Sequence, residues 1–87
     1  MSVISDKKKD RIKEDIIREL YENYPGFLYT EKISENIIRD NEFTLSLLNE
    51  LKKNKVVNIL NETKGDKVKR KWQLNEEAFD AYKRLSV

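Results

Sequence analysis

The stretch that decides the fold is residues 33–57, ISENIIRDNEFTLSLLNELKKNKVV. Its first apolar residues have the spacing of a helix face, so we expect Ile33, Ile37 and Ile38 to be buried. Asp40 and Asn41 then supply turn or cap chemistry. A second apolar stripe runs to Asn54 and consists of Phe43, Leu47, Leu48 and Leu51. The stretch therefore predicts a helix of two to three turns, a tight turn and a longer helix.

The residues before this stretch predict another helix and a short strand. The apolar residues of this first helix are Ile12, Ile16 and Leu20, with Ile17 and Tyr24 on the flank. Asp6 is expected to cap its start, and Pro25-Gly26 to end it. Residues 27–29, Phe-Leu-Tyr, form a β-prone run. Thr30, followed by Glu31, is expected to cap the next helix.

After residue 56 the apolar period changes from that of a helix to that of a strand. Val57 and Ile59 alternate with Asn58. In the second strand Val68, Arg70, Trp72 and Leu74 alternate with Lys67, Lys69, Lys71 and Gln73. The turn signal Lys64-Gly65-Asp66 lies between the two runs, so we expect a β-hairpin with glycine at its tip.

A last helix is expected after the hairpin. Asn75 can cap it, and Glu76 and Glu77 lie where a helix favours negative charge. Its expected buried face consists of Ala78, Phe79, Tyr82 and Leu85. Tyr21, Tyr24, Tyr29 and Tyr82 are expected at the rim of the core.

Length and composition limit the classes of protein. Eighty-seven residues suffice for one core, so we expect a single α+β domain over residues 1–87. Cysteine and histidine are absent from the sequence, and no cofactor or metal is expected. The sequence also lacks a glycine-rich phosphate loop, so we do not expect an enzyme. The first residues, MSVISDKKKD, contain no apolar signal region and no apolar run reaches ~18 residues, so we expect a soluble cytoplasmic protein without a membrane partner.

Charge is unevenly distributed although the net charge is only +2. Residues 64–72 contain five basic residues and Asp66, a local balance of 5 − 1 = +4. Residues 31–50 contain two basic and five acidic residues, a balance of 2 − 5 = −3. The basic segment indicates an acidic partner. Alternatively, its lysines protect an exposed strand edge from pairing with other chains.

The order of predicted elements resembles the winged helix-turn-helix domain of small archaeal and bacterial, or archaeal viral, transcription regulators. The resemblance covers nearly the whole chain, and residues 33–57 are its most specific part. WQLNEEAFDAYKRL is similar to the aromatic-x-Leu-Thr-x-x-Gly segment that follows the wing, with Asn75 and Ala78 in place of Thr and Gly. The chain departs from the family at Lys55, where glycine is usual, and at Glu42 and Glu50, where basic residues are common.

The resemblance implies a sequence-specific regulator that binds double-stranded DNA, as a homodimer through its first and last helices. The third helix would enter the major groove and the wing would contact the backbone or minor groove. The protein would be nucleoid-associated, or act in the host cell if viral. At 100° per residue, Glu42, Leu45, Ser46, Asn49, Lys52 and Lys53 face outward and Thr44 faces inward. The candidate DNA-binding residues are Asn41, Leu45, Ser46, Asn49, Lys52, Lys53, Lys64, Lys67, Lys69, Arg70 and Lys71.

Alternatives remain open at the level of the sequence. The acidic balance around the third helix and an exposed Leu45 favour a winged-helix module that binds protein within a transcription or other assembly. Trp72 falls on the face of Val68 and Leu74, so we expect a core anchor, with base stacking as the second interpretation. Arg70 lies on the same side near the hairpin tip, where its guanidinium could enter a minor groove.

Overall fold

Four helices and a three-stranded antiparallel sheet form the computed structural model, which describes residues 6–85 apart from the side chain of Asp6. The elements are α1 (Asp6–Asn23), β1 (Leu28–Tyr29), α2 (Thr30–Ile37), α3 (Asn41–Lys53), β2 (Val57–Lys64), β3 (Lys67–Leu74) and α4 (Glu76–Leu85). This order confirms the predicted α+β class. The predicted cap role of Asp6 depends on a side chain outside the described part.

The core lies between three helices and one face of the sheet. The predicted stripes of α1 and α3 are buried there, which confirms their helical spacing. The buried apolar residues are Ile12, Ile16, Leu20, Ile33, Leu47, Leu48, Leu51, Val57, Trp72 and Leu74. The sheet has the order β1-β3-β2, so the long strand β3 lies in its centre. Gly65, at φ 60°, follows β2 at the tip of the predicted hairpin.

Trp72 is fully buried, as predicted for a core anchor, and it bonds to the start of α2. Its indole Nε1 donates to Thr30 Oγ1 at 2.7 Å, and the Thr30 hydroxyl lies 3.4 Å from the Arg70 carbonyl oxygen. The prediction that Thr30 caps α2 is wrong. Tyr29 precedes the helix without a side-chain cap bond, and Thr30 is its first helical residue. The Thr30 hydroxyl accepts the indole proton instead of a backbone N–H.

The turn between α2 and α3 corrects the prediction for Ile38. Ile38 adopts the left-handed conformation, with φ 56°, and its N–H bonds to the Glu35 carbonyl. This backbone turns the side chain away from the core, and 86% of the residue is exposed. Asp40 caps α3 as expected, because its carboxylate accepts the N–H groups of Glu42 and Phe43 at 3.0 and 3.1 Å.

Lys55 also adopts the left-handed conformation, with φ 62°. It follows α3, and its N–H bonds to the Lys52 carbonyl at 2.9 Å. A side chain with a Cβ atom is strained in this conformation, whereas glycine is not. The backbone at this position therefore has the geometry that favours the glycine common in the resembled family.

Helix α4 lies against α1 through aromatic rings. Phe79 stacks on Tyr24 and Tyr21 with ring centroids 4.0 and 5.1 Å apart, and Tyr82 lies 5.0 Å from Tyr21. Asn75 caps the helix as predicted, since its Oδ1 accepts the Glu77 N–H at 2.9 Å. None of the ten residues of α4 is fully buried, and the prediction for Leu85 is wrong because 84% of it is exposed.

Replacing Thr30 with valine should destabilise the fold by about 1–3 kcal/mol, because the buried indole N–H would have no acceptor. Urea unfolding measures the change in the free energy of unfolding. Thr63→Val is the control, since Thr63 is exposed on β2 and its replacement should alter stability by no more than about 0.5 kcal/mol. Equal midpoints for both variants would contradict a stabilising role for the Trp72–Thr30 bond.

Glycine should have opposite effects at two neighbouring lysines. Lys55→Gly should stabilise the protein by about 0.5–1 kcal/mol, because it removes left-handed strain that exceeds the added chain entropy. Lys53→Gly, within α3, should instead destabilise it by about 0.5–1 kcal/mol. Thermal melts of both variants check the sign, and destabilisation by Lys55→Gly would contradict the strain at that position.

Candidate nucleic-acid interface

The β2–β3 hairpin has two chemically different faces. Residues paired across antiparallel strands lie on the same face, and the register pairs Ile59 with Trp72 and Asn61 with Arg70. We call this side, which contains the core residues, the inner face. The outer face contains the pairs Leu60–Lys71, Glu62–Lys69 and Lys64–Lys67. Arg70 therefore lies on the opposite side of the hairpin from the four lysines, as the alternation of the sequence predicted.

The inner face and the beginning of α3 enclose a small open cleft of about 150 Å³. Asn41 and Leu45 come from α3, while Val68 and Arg70 come from β3. The other lining residues are Tyr29, Thr30, Glu31 and Lys69. Val68 is 57% exposed and Arg70 is exposed, so the core ends before the tip of the hairpin. The cleft brings four of the candidate residues to one place: Asn41, Leu45, Lys69 and Arg70.

The polar face of α3 extends away from this cleft. Ser46, Asn49, Lys52 and Lys53 are exposed as predicted, and Thr44 is buried as predicted. Leu45 is only half-buried and packs against the core, so the expectation of an exposed Leu45 is wrong. Leu45 lines the cleft beside Val68 and Arg70 of β3, which explains why it is less exposed than the sequence predicts.

The two ends of this face differ. Asn41 is the first residue of α3, and its Oδ1 lies 3.2 Å from Ser34 Oγ. Ser46 Oγ donates to the Phe43 carbonyl at 2.7 Å. Lys52 and Lys53 lie in the last turn, about 18 Å from the beginning of the helix at 1.5 Å per residue. The helix therefore presents the Asn41 amide at the cleft and ammonium groups at its other end, where Lys52 lies beside Asn58 and Ile59 of β2.

Two glutamates near α3 have different surroundings. Glu50 accepts a hydrogen bond from Lys13 of α1, with Nζ and Oε1 2.9 Å apart, and this bond lowers the pKa of Glu50 below its usual range. Glu42 is exposed in the first turn of α3. The Lys13 pair offsets one of the negative charges that the sequence places on the third helix.

The outer face contains a polar cluster around Glu62. Tyr29 Oη donates to Glu62 Oε1 at 2.8 Å, and Lys71 Nζ donates to Oε2 at 2.9 Å. The bonds from Lys71 and Tyr29 lower the pKa of Glu62, while the same contact with Glu62 raises the pKa of Lys71 and of Tyr29. Lys71 Nζ also lies 5.7 and 5.9 Å from the ring centroids of Tyr29 and Phe27. Lys71 is therefore engaged within the protein.

Sequence reasoning missed this cluster, although part of it was available. A two-residue turn at Gly65-Asp66 pairs Lys64 with Lys67, and counting back then places Glu62 opposite Lys69 and next to Lys71. The contribution of Tyr29 could not be predicted from local sequence. It depends on the pairing of β1 with the edge of β3 opposite β2, more than thirty residues away in the chain.

No family model, curated protein or solved structure matches this chain. Among residues 6–85, no helix has the length and apolarity needed to cross a membrane, and no group of acidic side chains could hold a metal ion. The geometry of α3 and the hairpin therefore carries the functional inference by itself.

Replacing Lys71 with methionine should raise the pKa of Glu62 toward that of an ordinary glutamate, because the Glu62 carboxylate then lacks the hydrogen-bond donor that lowers its pKa most. Tyr29→Phe should raise it less, and Lys69→Met serves as the control. A carbon-detected NMR titration of the Glu62 carboxyl measures the midpoint. An unchanged midpoint in Lys71→Met would contradict the ion pair.

The same pair makes stability depend on pH in a defined direction. The folded pKa of Glu62 lies below its unfolded value, so the pair contributes stability that is fully present above the unfolded pKa. This contribution is lost as pH falls through the folded pKa. Urea midpoints of wild type and Lys71→Met should therefore converge as the solution is acidified.

Proposed function

We propose that this chain is a winged helix-turn-helix protein that binds specific sites on double-stranded DNA and regulates transcription. Helix α2, the three residues 38–40 and helix α3 have the succession of a helix-turn-helix, in which the second helix reads the major groove. The β2–β3 hairpin would be the wing. The observation that carries this proposal is the adjacency of Arg70 to Asn41 and Leu45, beside the exposed polar face of α3.

This adjacency allows one duplex to contact both elements. Asn49 and Asn41 can bond to adenine edges in a major groove, and Ser46 can bond to a base or a phosphate. Arg70 projects from the wing on the same side and suits a narrow, electronegative minor groove. Lys52 and Lys53 would contact phosphates at the far end of α3. Lys64, Lys67, Lys69 and Lys71 would add a general attraction to the backbone.

A homodimer through α1 and α4 belongs to the same proposal. One small module buries little DNA surface, and a second copy on a second half-site supplies the rest. Helix α4 leaves Leu85 exposed, and its aromatic residues Phe79 and Tyr82 are only half-buried against α1. The dimer would act in the cytoplasm, on the nucleoid or on host DNA.

A protein-binding module is the second candidate. Ile38 is a large apolar residue, 86% exposed, in the turn that precedes α3. Glu31 lines the cleft and Glu42 is exposed near it, and both would approach a phosphate backbone at an electrostatic cost. A partner with an apolar contact and basic side chains would suit this end of the helix better than DNA.

Two substitutions should weaken duplex binding in different ways. Asn49→Ala should cost about 1–3 kcal/mol on the preferred site and little on random duplex, because it removes a hydrogen bond to a base edge. Arg70→Ala should weaken binding to every duplex and reduce the slope of log affinity against log salt by about one unit. Fluorescence anisotropy at two salt concentrations measures both effects, after selection of the preferred site from a random library.

Lys32→Ala is the charge-matched control and should bind as the wild type does, because Lys32 is exposed on α2, outside the cleft, the hairpin and the proposed dimer helices. If Asn49→Ala and Arg70→Ala also bind both duplexes as the wild type does, α3 does not read DNA. A loss of binding to a purified protein partner on Ile38→Asp would then support the second candidate.

A further inference from the structure

The proposed duplex contact uses only the lysines of the outer face of the sheet, as a general attraction to the backbone. This face combines a row of lysines with exposed aromatic and aliphatic side chains. Phe27 and Leu60 are 36% and 46% exposed, and Tyr29 is half-buried. The register places Tyr29, Lys71 and Leu60 side by side across the three strands. Helices α1, α2 and α3 pack against the inner face, where the buried residues of β2 and β3 lie.

Charge on this face is strongly of one sign. Lys64, Lys67, Lys69 and Lys71 against Glu62 give 4 − 1 = +3. Lys64 lies directly opposite Lys67, and like charges in that position destabilise a sheet. No carboxylate among the described side chains forms an ion pair with Lys67 or Lys69. An external polyanion would relieve this repulsion.

The spacing of the lysines suits an extended anionic chain. Lys67, Lys69 and Lys71 are two residues apart on β3, so their Cα atoms repeat at about 6.7 Å. This distance is close to the phosphate repeat of an extended single strand of nucleic acid. The row continues into Phe27 and Tyr29, whose rings lie within 6 Å of the Lys71 ammonium. Proteins bind single-stranded nucleic acid through basic grooves with aromatic rings on which unpaired bases stack. A duplex offers few exposed base faces for such stacking.

We propose that the outer face binds single-stranded nucleic acid, with phosphates along Lys64, Lys67 and Lys69 and a base against Phe27 and Tyr29. The site lies on the other face of the hairpin from Arg70, and the two surfaces adjoin at Tyr29 and Lys69, which also line the cleft. It does not depend on the proposed duplex function, and either site can exist without the other. A protein with both sites would hold a duplex and an unpaired strand at the same time.

The test is fluorescence anisotropy with a labelled oligothymidylate of about 12 nucleotides, an abasic oligomer of the same length and a duplex. The wild type should bind oligothymidylate about tenfold or more tightly than the abasic oligomer, because each stacked base contributes. Lys67→Ala with Lys69→Ala should lower the salt slope for oligothymidylate by about 0.7 for each phosphate that no longer pairs with a lysine.

Two single substitutions separate the faces. Phe27→Ala should weaken oligothymidylate binding about fivefold or more and leave duplex binding unchanged. Arg70→Ala, next to Lys69 in the chain but on the inner face, should leave oligothymidylate binding unchanged whatever its effect on duplex. Circular dichroism melts establish that each variant is folded.

Three results would overturn the proposal. The first is equal binding of oligothymidylate and the abasic oligomer by the wild type. The second is a folded Phe27→Ala protein with wild-type affinity for oligothymidylate. The third is a decrease in oligothymidylate binding in Arg70→Ala as large as in the double lysine variant, since one surface would then bind both ligands. If the protein binds oligothymidylate as expected but does not bind duplex, the proposed regulator function is wrong and the proposed single-strand site is supported.

Discussion

The hydrogen bond between the Trp72 indole and the Thr30 hydroxyl links the two halves of the structure. Trp72 lies in the central strand β3, pairs with Leu28 of β1 and Ile59 of β2, and is fully buried. Thr30 begins α2, so the bond sets the start of the helix pair against the sheet. The indole N–H would be costly to bury unpaired, and Thr30 supplies its acceptor. The position of α3 relative to the hairpin therefore depends on this contact.

This anchor also determines which charges lie on which face. Trp72 points toward the core, so alternation along β3 directs Arg70 to the same side and Lys69 and Lys71 to the other. From Trp72 toward the hairpin tip the core no longer covers the strand, and Arg70 and Val68 on the inner face are exposed beside the cleft with Asn41 and Leu45. The strand that contributes Trp72 and Leu74 to the core thereby also presents basic side chains on both of its faces.

Much of this arrangement could be predicted from the sequence, because it follows from local rules. The apolar stripes of α1 and α3, the caps at Asp40 and Asn75 and the hairpin turn at Gly65 depend on neighbours a few residues away. The wrong predictions for Thr30, Leu45 and Ile38 concern contacts between distant residues or unusual backbone. Local rules predict that Thr30 caps α2, but its hydroxyl accepts a hydrogen bond from the Trp72 indole, 42 residues away in the chain. Ile38 fits the apolar spacing of α2, but a left-handed turn ends the helix first.

Local charge matters more than net charge for the proposed surfaces. A net charge of +2 gives a weak overall field, yet the acidic residues are not distributed evenly around the basic ones. Glu50 is paired with Lys13 and Glu62 with Lys71, so two carboxylates are neutralised within the protein. The internal pairs leave Lys64, Lys67 and Lys69 on one face and Arg70 on the other, with Lys69 also at the cleft beside Arg70. An anionic ligand on either face therefore meets basic groups that no internal ion pair neutralises, although the net charge of the whole chain is small.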